Sequence, residues 1–316
     1  MSGQPREVVR VTNLVKDFRI GFGIRRRRVL DDVSFTAHEG EIFGFVGPNG
    51  AGKTTTLKVL MGLVRPTSGS ASILGRNVAE SEFRDQIGFL PENPYFHAFL
   101  TAREILDFYA RLSGVAAAHR GERVERLLET VHLTHAADMR LKTFSKGMLQ
   151  RIGVAQALIH DPSVVFLDEP MSGLDPIGRR EIREVILALR AAGKTVFMNT
   201  HILSDVEMIC DRVAIIVKGS IRKQGTLREL LGEGRSAARI GVEGLPVEAA
   251  EAIESGLEAT LRPAGDRIEI EVESKAVEEV LRIVLASGAT VASVVRLHPS
   301  LEDVFMSAVR EAEGVR

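Results

Sequence analysis

Short apolar runs alternate with longer stretches of helical periodicity over the first two thirds of the chain. Four of these runs have the length and flanking residues of buried strands: residues 41–46, 87–90, 164–168 and 195–199. Each run is followed by a pattern that favours a helix. Strands that alternate with helices are typical of a parallel sheet covered by helices, so this part of the chain is predicted to be α/β.

The pattern changes near residues 232–234, and we predict two domains, residues 1–232 and 235–316. The second part carries 15 acidic and 9 basic side chains, whereas the first is slightly basic. Its pattern runs strand, helix, two strands, helix, strand and a closing helix, with the middle strands at 257–261 and 268–272 around a turn at 263–266. This order predicts a small α+β domain of the ferredoxin-like fold. A packing or dimerisation role is favoured for it over an effector site.

The first predicted strand leads into a glycine-rich loop that fits the pattern G-x-x-x-x-G-K-[ST]. The loop and its first helical residues read Gly47, Pro48, Asn49, Gly50, Ala51, Gly52, Lys53, Thr54 and Thr55. Backbone N–H groups of such a loop converge on phosphate oxygens, and the helix N-terminus adds partial positive charge. We expect Lys53 to reach the β- and γ-phosphates of a nucleotide and the Thr54 hydroxyl to bind Mg²⁺.

Two carboxylates follow the third apolar run, and a histidine follows the fourth. We interpret Asp168 as a magnesium ligand and Glu169 as the base that polarises an attacking water. His201 could hydrogen-bond the γ-phosphate and that water, although a lone loop histidine is as often without such a role. The residue pattern therefore favours hydrolysis of a nucleoside triphosphate.

Several further motifs follow in a fixed order along the chain. They are Phe144-Ser145-Lys146-Gly147-Met148, Phe166-Leu167-Asp168-Glu169-Pro170, Ser172-Gly173-Leu174-Asp175 and Thr200-His201. Together with the phosphate loop, this series resembles the ATP-binding subunits of ABC transporters over about residues 6 to 230. The resemblance implies a P-loop ABC-type ATPase core, a mixed sheet with helices, and an α-helical subdomain at about 93–150.

The resemblance also implies roles for residues outside the phosphate loop. Phe18 corresponds to the aromatic residue that stacks on adenine. Ser145 and Gly147 correspond to a signature motif that binds the γ-phosphate of ATP held by the other subunit, and Asp175 to a residue that communicates between the two sites. A homodimer, or a pair of ATPase subunits, that encloses two ATP and Mg²⁺ is therefore expected.

Two departures from the usual family pattern point to a subgroup. In the signature motif, Phe144, Lys146 and Met148 replace the usual Leu, Gly and Gln, and Glu92 stands where the family usually has a glutamine near the metal. Glu92 would approach Mg²⁺ as an anion. Both variants resemble the ATPases of ABC-2-type exporters, whose membrane permease is a separate chain. The expected location is cytoplasmic, at the inner face of the membrane through that permease.

Composition limits the remaining alternatives. The formal net charge is −1, so no general attraction to nucleic acid is expected. An uninterrupted apolar stretch of 18 residues is absent from the sequence, and the single cysteine, Cys210, predicts a buried inert thiol. The competing interpretation is a soluble, non-transport ABC ATPase that acts on nucleic acid or the ribosome. Against this interpretation, the sequence contains no zinc-type cysteine pairs and no second copy of the ATPase motifs.

Two segments have competing interpretations. The run Arg25–Arg28 is expected to form a solvated hairpin tip, with contact to anionic headgroups or the permease as a weaker alternative. The loop Pro94–Leu100 carries three aromatic residues. We favour a partner-binding surface anchored by Tyr95 and Phe96 over a contribution to the core.

Overall fold

The apolar runs of the sequence become neighbouring strands of one sheet in the computed structural model of the chain. The structure describes residues 6–20, 25–80, 83–232, 237–297 and 300–314. Residues 233 and 234, next to the predicted domain boundary, lie outside these ranges. Contacts divide the chain into two units, residues 228–304 forming one and the rest of the chain the other. The predicted domain limits of 1–232 and 235–316 stay a prediction.

The described strands and helices have the following bounds. The strands are β1 (Glu7–Ile20), β2 (Arg25–His38), β3 (Ile42–Val46), β4 (Ser68–Ile73), β5 (Arg76–Asn77), β6 (Ile87–Leu90), β7 (Val164–Asp168), β8 (Thr195–Thr200), β9 (Arg212–Val217), β10 (Ser220–Thr226), β11 (Ala237–Glu243), β12 (Thr260–Ala264), β13 (Arg267–Glu273) and β14 (Thr290–Leu297). The helices are α1 (Lys53–Leu60), α2 (Ala102–Leu112), α3 (Ala117–Thr130), α4 (Lys146–Ala157), α5 (Pro176–Ala191), α6 (Leu203–Ile209), α7 (Leu227–Leu231), α8 (Val247–Gly256), α9 (Val277–Ala286) and α10 (Leu301–Glu313).

The central sheet has the strand order β10-β9-β3-β8-β7-β6. Its strands pair in parallel from β9 to β6, and β10 pairs antiparallel with β9 at one edge. Strands β3, β7 and β8 are buried along their whole length, as expected for a parallel sheet covered on both faces. The carboxyl ends of β3, β8 and β7 therefore meet at one edge of the sheet.

A second, antiparallel sheet of order β2-β1-β4-β5 packs on the same core. Aromatic rings join the two sheets, because Phe35 of β2 lies 5.5 Å from Phe43 and 5.7 Å from Phe197, centroid to centroid. This packing holds the hairpin of β1 and β2 next to the end of β3. Among the described residues, none of the helices is long and apolar enough to cross a membrane.

The smaller unit confirms the predicted strand–helix order and shows one shift in position. Its sheet order, β12-β13-β11-β14 with every neighbouring pair antiparallel, is that of the ferredoxin-like fold. The strand predicted at 257–261 lies instead at 260–264, because the turn consists of Gly265 and Asp266 alone. Pro263 falls inside β12, which is tolerated because β12 is an edge strand.

A buried arginine joins three helices of the larger unit. The Arg151 side chain on α4 is 6% exposed, and its Nη1 donates to the carbonyl oxygens of Val131 (3.2 Å) and His132 (3.3 Å). Its Nη2 lies 3.2 Å from Glu181 Oε2 on α5. Burial lowers the pKa of Arg151, and the charge of Glu181 opposes that change. The contacts tie α4 to the end of α3 and to α5.

We expect the change Arg151→Met to destabilise this unit measurably. It removes the donors to two carbonyl groups and leaves Glu181 without its cation, which together cost about 1–3 kcal/mol of unfolding free energy. Urea unfolding followed by circular dichroism measures the loss. The control is Arg180→Met on α5, whose exposed ion pair with Glu184 contributes little. Equal urea midpoints for the two variants would contradict this role of Arg151.

Candidate active site

The glycine-rich loop lies between β3 and α1, and its backbone leaves no room for side chains at two positions. A Cβ at Gly47 would stand 2.3 Å from the carbonyl oxygen of Ile216. Gly52, at φ +114°, precedes the first turn of α1 in a conformation that favours glycine. The loop is therefore held close to β9, with the N-terminus of α1 open towards solvent.

A cavity of about 450 Å³ opens over this loop. Its lining residues come from the loop, from the β2 strand and from the segments that follow β6, β7 and β8. They are Arg27, Val29, Pro48, Asn49, Gly50, Gly52, Lys53, Thr54, Thr55, Glu92, Glu169, Ser172 and His201. The parallel strands thus bring ten of the residues predicted from the sequence to one cavity.

Lys53 is the buried cation at the floor of the cavity. Its Nζ donates to the carbonyl oxygen of Gly47 at 2.7 Å and lies 3.6 Å from Glu169 Oε1. The Lys53 and Glu169 side chains are only 7% and 10% exposed. A cation that is shielded from solvent attracts phosphate oxygens more strongly than one on the surface.

Glu169 is oriented by contacts on both sides. Its Oε2 lies 2.8 Å from Nδ1 of His201, and its N–H donates to the carbonyl oxygen of Asn199 at 2.9 Å. The φ angle of Glu169 is +49°, a strained value for a residue with a side chain. Surrounding contacts must therefore hold this backbone turn, and they direct the carboxylate across the cavity towards Lys53.

Asp168, the last residue of β7, is buried beside Glu169. Asn199 Nδ2 donates to its Oδ1 at 3.3 Å. Burial raises the pKa of the Asp168 carboxyl above its ordinary value, and the charges of Glu169 and Glu92 raise it further, while Asn199 and Lys53 oppose the shift. The region therefore holds three carboxylates against two cations, Lys53 and, at the rim of the cavity, Arg27.

That excess of negative charge fits a divalent cation. The Thr54 hydroxyl and the carboxylates of Asp168 and Glu92 are oxygen donors of the kind that Mg²⁺ prefers. In the described part of the chain, no group of three His, Cys, Asp or Glu side chains forms a complete metal cage. In nucleotide sites Mg²⁺ usually takes most of its ligands from water and phosphate.

Comparison with known proteins identifies this arrangement. A family model described as ABC transporter matches residues 30–172. An ABC transporter ATP-binding protein of Bacillus subtilis, YhcH, is 35% identical over 312 residues, which are 98% of this chain and 98% of that protein. The chain belongs to the family of ABC transporter ATP-binding subunits. It is an ATPase subunit, and the members of this family work with membrane permease components.

Two further similarities concern an export protein and a solved structure. The Nod factor export ATP-binding protein I of Ralstonia nicotianae is 34% identical over 258 residues, 80% of this chain and 78% of that protein. A solved dimeric ATP-binding cassette in a post-hydrolysis state, bound to ADP and Pi, superimposes with a TM-score of 0.63 at 25% identity. That match covers 70% of this chain and 99% of the cassette.

Seven residues with predicted roles in this ATPase do not line the cavity. Gly47, Ala51 and Asp168 belong to the phosphate loop and to the end of β7, and the other four lie on β1 and at the starts of α4 and α5. Ser145 caps α4, its Oγ accepting from the N–H of Met148 at 3.2 Å. Asp175 caps α5 in the same way, accepting from Gly178 at 2.7 Å. A Cβ on Gly147 would lie 3.7 Å from Gly178, so these helix ends are adjacent. They form a second polar surface on the ATPase subunit.

Phe18 is the last of these seven residues. It lies on β1 and pairs with Arg27 of β2, and Lys16 Nζ stands 4.9 Å from the centre of its ring. Its cross-strand partner Arg27 does line the cavity. The ring therefore lies beside the nucleotide cavity rather than in its wall.

Sequence reasoning missed Arg27, Val29, Ser172 and Asn199 as parts of the site. Arg27 was treated as one of four equivalent arginines at a solvated hairpin. The strand register separates them, since Arg28 pairs with Asp17 and Asp31 while Arg27 faces the cavity. Alternation along a strand was the signal that could have found it.

The interpretation of the loop after Glu92 needs one correction. Tyr95 is 84% exposed and Phe99 is 67% exposed, but Phe96 is only 9% exposed. The Phe96 ring packs edge-on against Tyr109 of α2 at 6.4 Å. Phe96 is thus a core residue and not an exposed anchor. The prediction for Cys210 is confirmed, since the thiol is buried and burial raises its pKa.

We expect Arg27→Met to weaken ATP binding. The change keeps much of the aliphatic chain and removes a cation from the rim of the phosphate cavity, which costs about fivefold in affinity. Fluorescent-nucleotide titration measures it, with Arg26→Met as the matched control on the neighbouring position of β2. If both changes lowered the ATP affinity equally, Arg27 would act only through the overall positive charge of this strand.

Proposed function

We propose that this ATPase subunit drives an exporter of the ABC-2 type, in which two copies close around two ATP molecules and move a separate permease. The observation that carries the proposal is the cavity in which the phosphate loop, Glu169 and His201 face one another. The export role is inferred from the Ralstonia relative, whose name includes it. The chain would then lie at the inner face of the membrane through its permease.

The phosphate loop binds and orients the substrate. Backbone N–H groups at the start of α1 and the ammonium of Lys53 compensate the charge of the β- and γ-phosphates. Magnesium, held by Thr54 and Asp168 with Glu92 at the edge of the site, would neutralise the charge that develops on the phosphoryl oxygens. Phe18 stacks on the adenine at the side of the cavity.

Glu169 accepts hydrogen bonding from the attacking water, and His201 keeps the carboxylate in place. Its Oε2 is held by His201 Nδ1 at 2.8 Å, so one carboxylate oxygen stays available towards the γ-phosphate. Lys53 Nζ lies 3.6 Å from Oε1 of the same carboxylate. Phosphate oxygens would take the place of this carboxylate as the partner of Lys53. Binding of substrate therefore releases the base for its work on water.

The second polar surface explains why two copies are needed. Ser145, Gly147 and Asp175 lie at the N-terminal ends of α4 and α5, outside the cavity of their own chain. Helix N-termini with exposed N–H groups favour an anion. In the proposed homodimer this surface covers the γ-phosphate held by the other copy. The similar solved cassette is a dimer, which supports the pairing of two copies.

The surface for the permease is assigned to the loop 94–100 and the adjoining helix α2. Tyr95, Phe99 and Phe108 are large and exposed, and the first two follow closely after Glu92, which lines the nucleotide cavity. Exposed aromatic side chains of this kind anchor protein interfaces. A shift at the cavity would reach the permease through only a few residues of backbone.

The alternative, a non-transport ATPase acting on nucleic acid, lacks support. The chain has a formal net charge of −1, and the relatives it matches are named as transporter subunits. The ferredoxin-like unit is proposed to serve dimerisation or packing.

We expect Glu169→Gln to separate binding from hydrolysis. The amide keeps the size of the side chain and loses its basicity, so ATP binds while turnover falls by about a hundredfold or more. An ATP-bound dimer should accumulate and be visible by size-exclusion chromatography. Lys53→Ala is the contrasting variant, because it should lose nucleotide binding and trap no dimer. Near-native turnover by Glu169→Gln would remove Glu169 as the base.

We expect the double change Tyr95→Ala and Phe99→Ala to leave the melting temperature and ATP affinity unchanged, because both rings are exposed. Co-purification of the tagged chain with its permease should be lost. Phe96→Ala is the control within the same loop, and it should lower the melting temperature because it empties part of the core. A double variant that still binds the permease would contradict the proposed surface.

A further inference from the structure

Lys146 lies at the start of α4, a position at which a helix disfavours a cation. It is the first residue of that helix, where the partial positive charge of the N-terminus disfavours a cation. Its Nζ donates to the carbonyl oxygen of Ser172 at 2.8 Å. A tertiary contact therefore accounts for the lysine better than helix preference does.

The chain around Ser172 is shaped to receive this ammonium. Gly173 adopts φ +66°, and a Cβ there would lie 2.5 Å from Lys146 Nζ. Any larger residue at 173 would have to displace the lysine. Lys146 and Gly173 thus fit each other across the gap between α4 and the segment after β7.

Ser172 belongs to the turn that carries the base. Its N–H donates to the carbonyl oxygen of Glu169 at 3.1 Å, and its side chain lines the nucleotide cavity. Glu169 itself has a strained φ of +49°, so its orientation depends on contacts that hold the turn closed. The bond from Lys146 to Ser172 holds the far end of this turn.

The geometry points to Lys146 as a positioning residue for Glu169, which ties the turn of the base to the N-terminus of the signature helix α4. The inference rests on the proposed function, because it takes Glu169 as the group that orients water. Lys146 is not among the residues that line the cavity of its own chain. If α4 of one copy shifts when it meets the nucleotide held by the other copy, the Lys146 side chain would pass that shift to the turn of Glu169.

The test is steady-state ATP hydrolysis by the full chain with Lys146→Met. Loss of one solvent-accessible hydrogen bond should lower kcat about three- to tenfold, with KM unchanged because Lys53 and the phosphate loop, which are assigned to substrate binding, are left intact. Lys146→Arg, which keeps a cationic donor, should restore most of the rate. Lys142→Met, an exposed lysine four residues earlier, should have no effect.

A second measurement separates positioning from direct contact with the partner's γ-phosphate. In the Glu169→Gln background, Lys146→Met should leave the ATP-dependent dimer intact. Loss of that dimer would overturn the inference, since it would place the ammonium on the nucleotide. An unchanged kcat, a raised KM, a lowered melting temperature or failure of Lys146→Arg to restore the rate would also overturn it. The proposed function has a separate test, because it fails if the single variant Glu169→Gln keeps near-native ATP hydrolysis.

Discussion

The parallel pairing of β3, β8 and β7 is the constraint on which the site depends. Val46, just before the phosphate loop, pairs with Thr200, and Asn199 pairs with Asp168. A shift of one residue in either pairing would turn alternate side chains to the other face of the sheet. The register therefore fixes the distance between the phosphate loop and the carboxylates to which hydrolysis is assigned.

Charge distribution supports the proposed roles of substrate, metal and a second copy of the chain. Asp168 and Glu169 are buried beside the buried cation Lys53, and the exposed carboxylate of Glu92 adds further negative charge. A phosphate group with its magnesium ion supplies both charges that the cavity needs. In the proposed homodimer, the groups at the N-terminal ends of α4 and α5 would add their positive potential to the site of the other copy, so that nucleotide binding and dimer closure would be coupled.

The sequence allowed much of the fold and part of the site to be predicted, because those features are local. The phosphate loop and the two carboxylates are short motifs at strand ends, and alternating strands and helices predicted the α/β core. Features set by strand register or loop packing were missed. Arg27 was separated from its neighbours by pairing across the hairpin, and Phe96 was buried by a ring on α2. The contact of Lys146 with Ser172 joins residues 26 positions apart and leaves no pattern in the sequence.

The most direct test of the account is complementation between two inactive variants. Lys53→Ala removes the phosphate cation, and Gly147→Asp places a carboxylate on the signature surface, where the backbone has room for a side chain. If each site combines the loop of one copy with the signature surface of the other, a mixed dimer contains one intact site. The account predicts that mixing the two proteins restores ATP hydrolysis well above the sum of their separate rates. A mixture no more active than that sum would contradict the shared site.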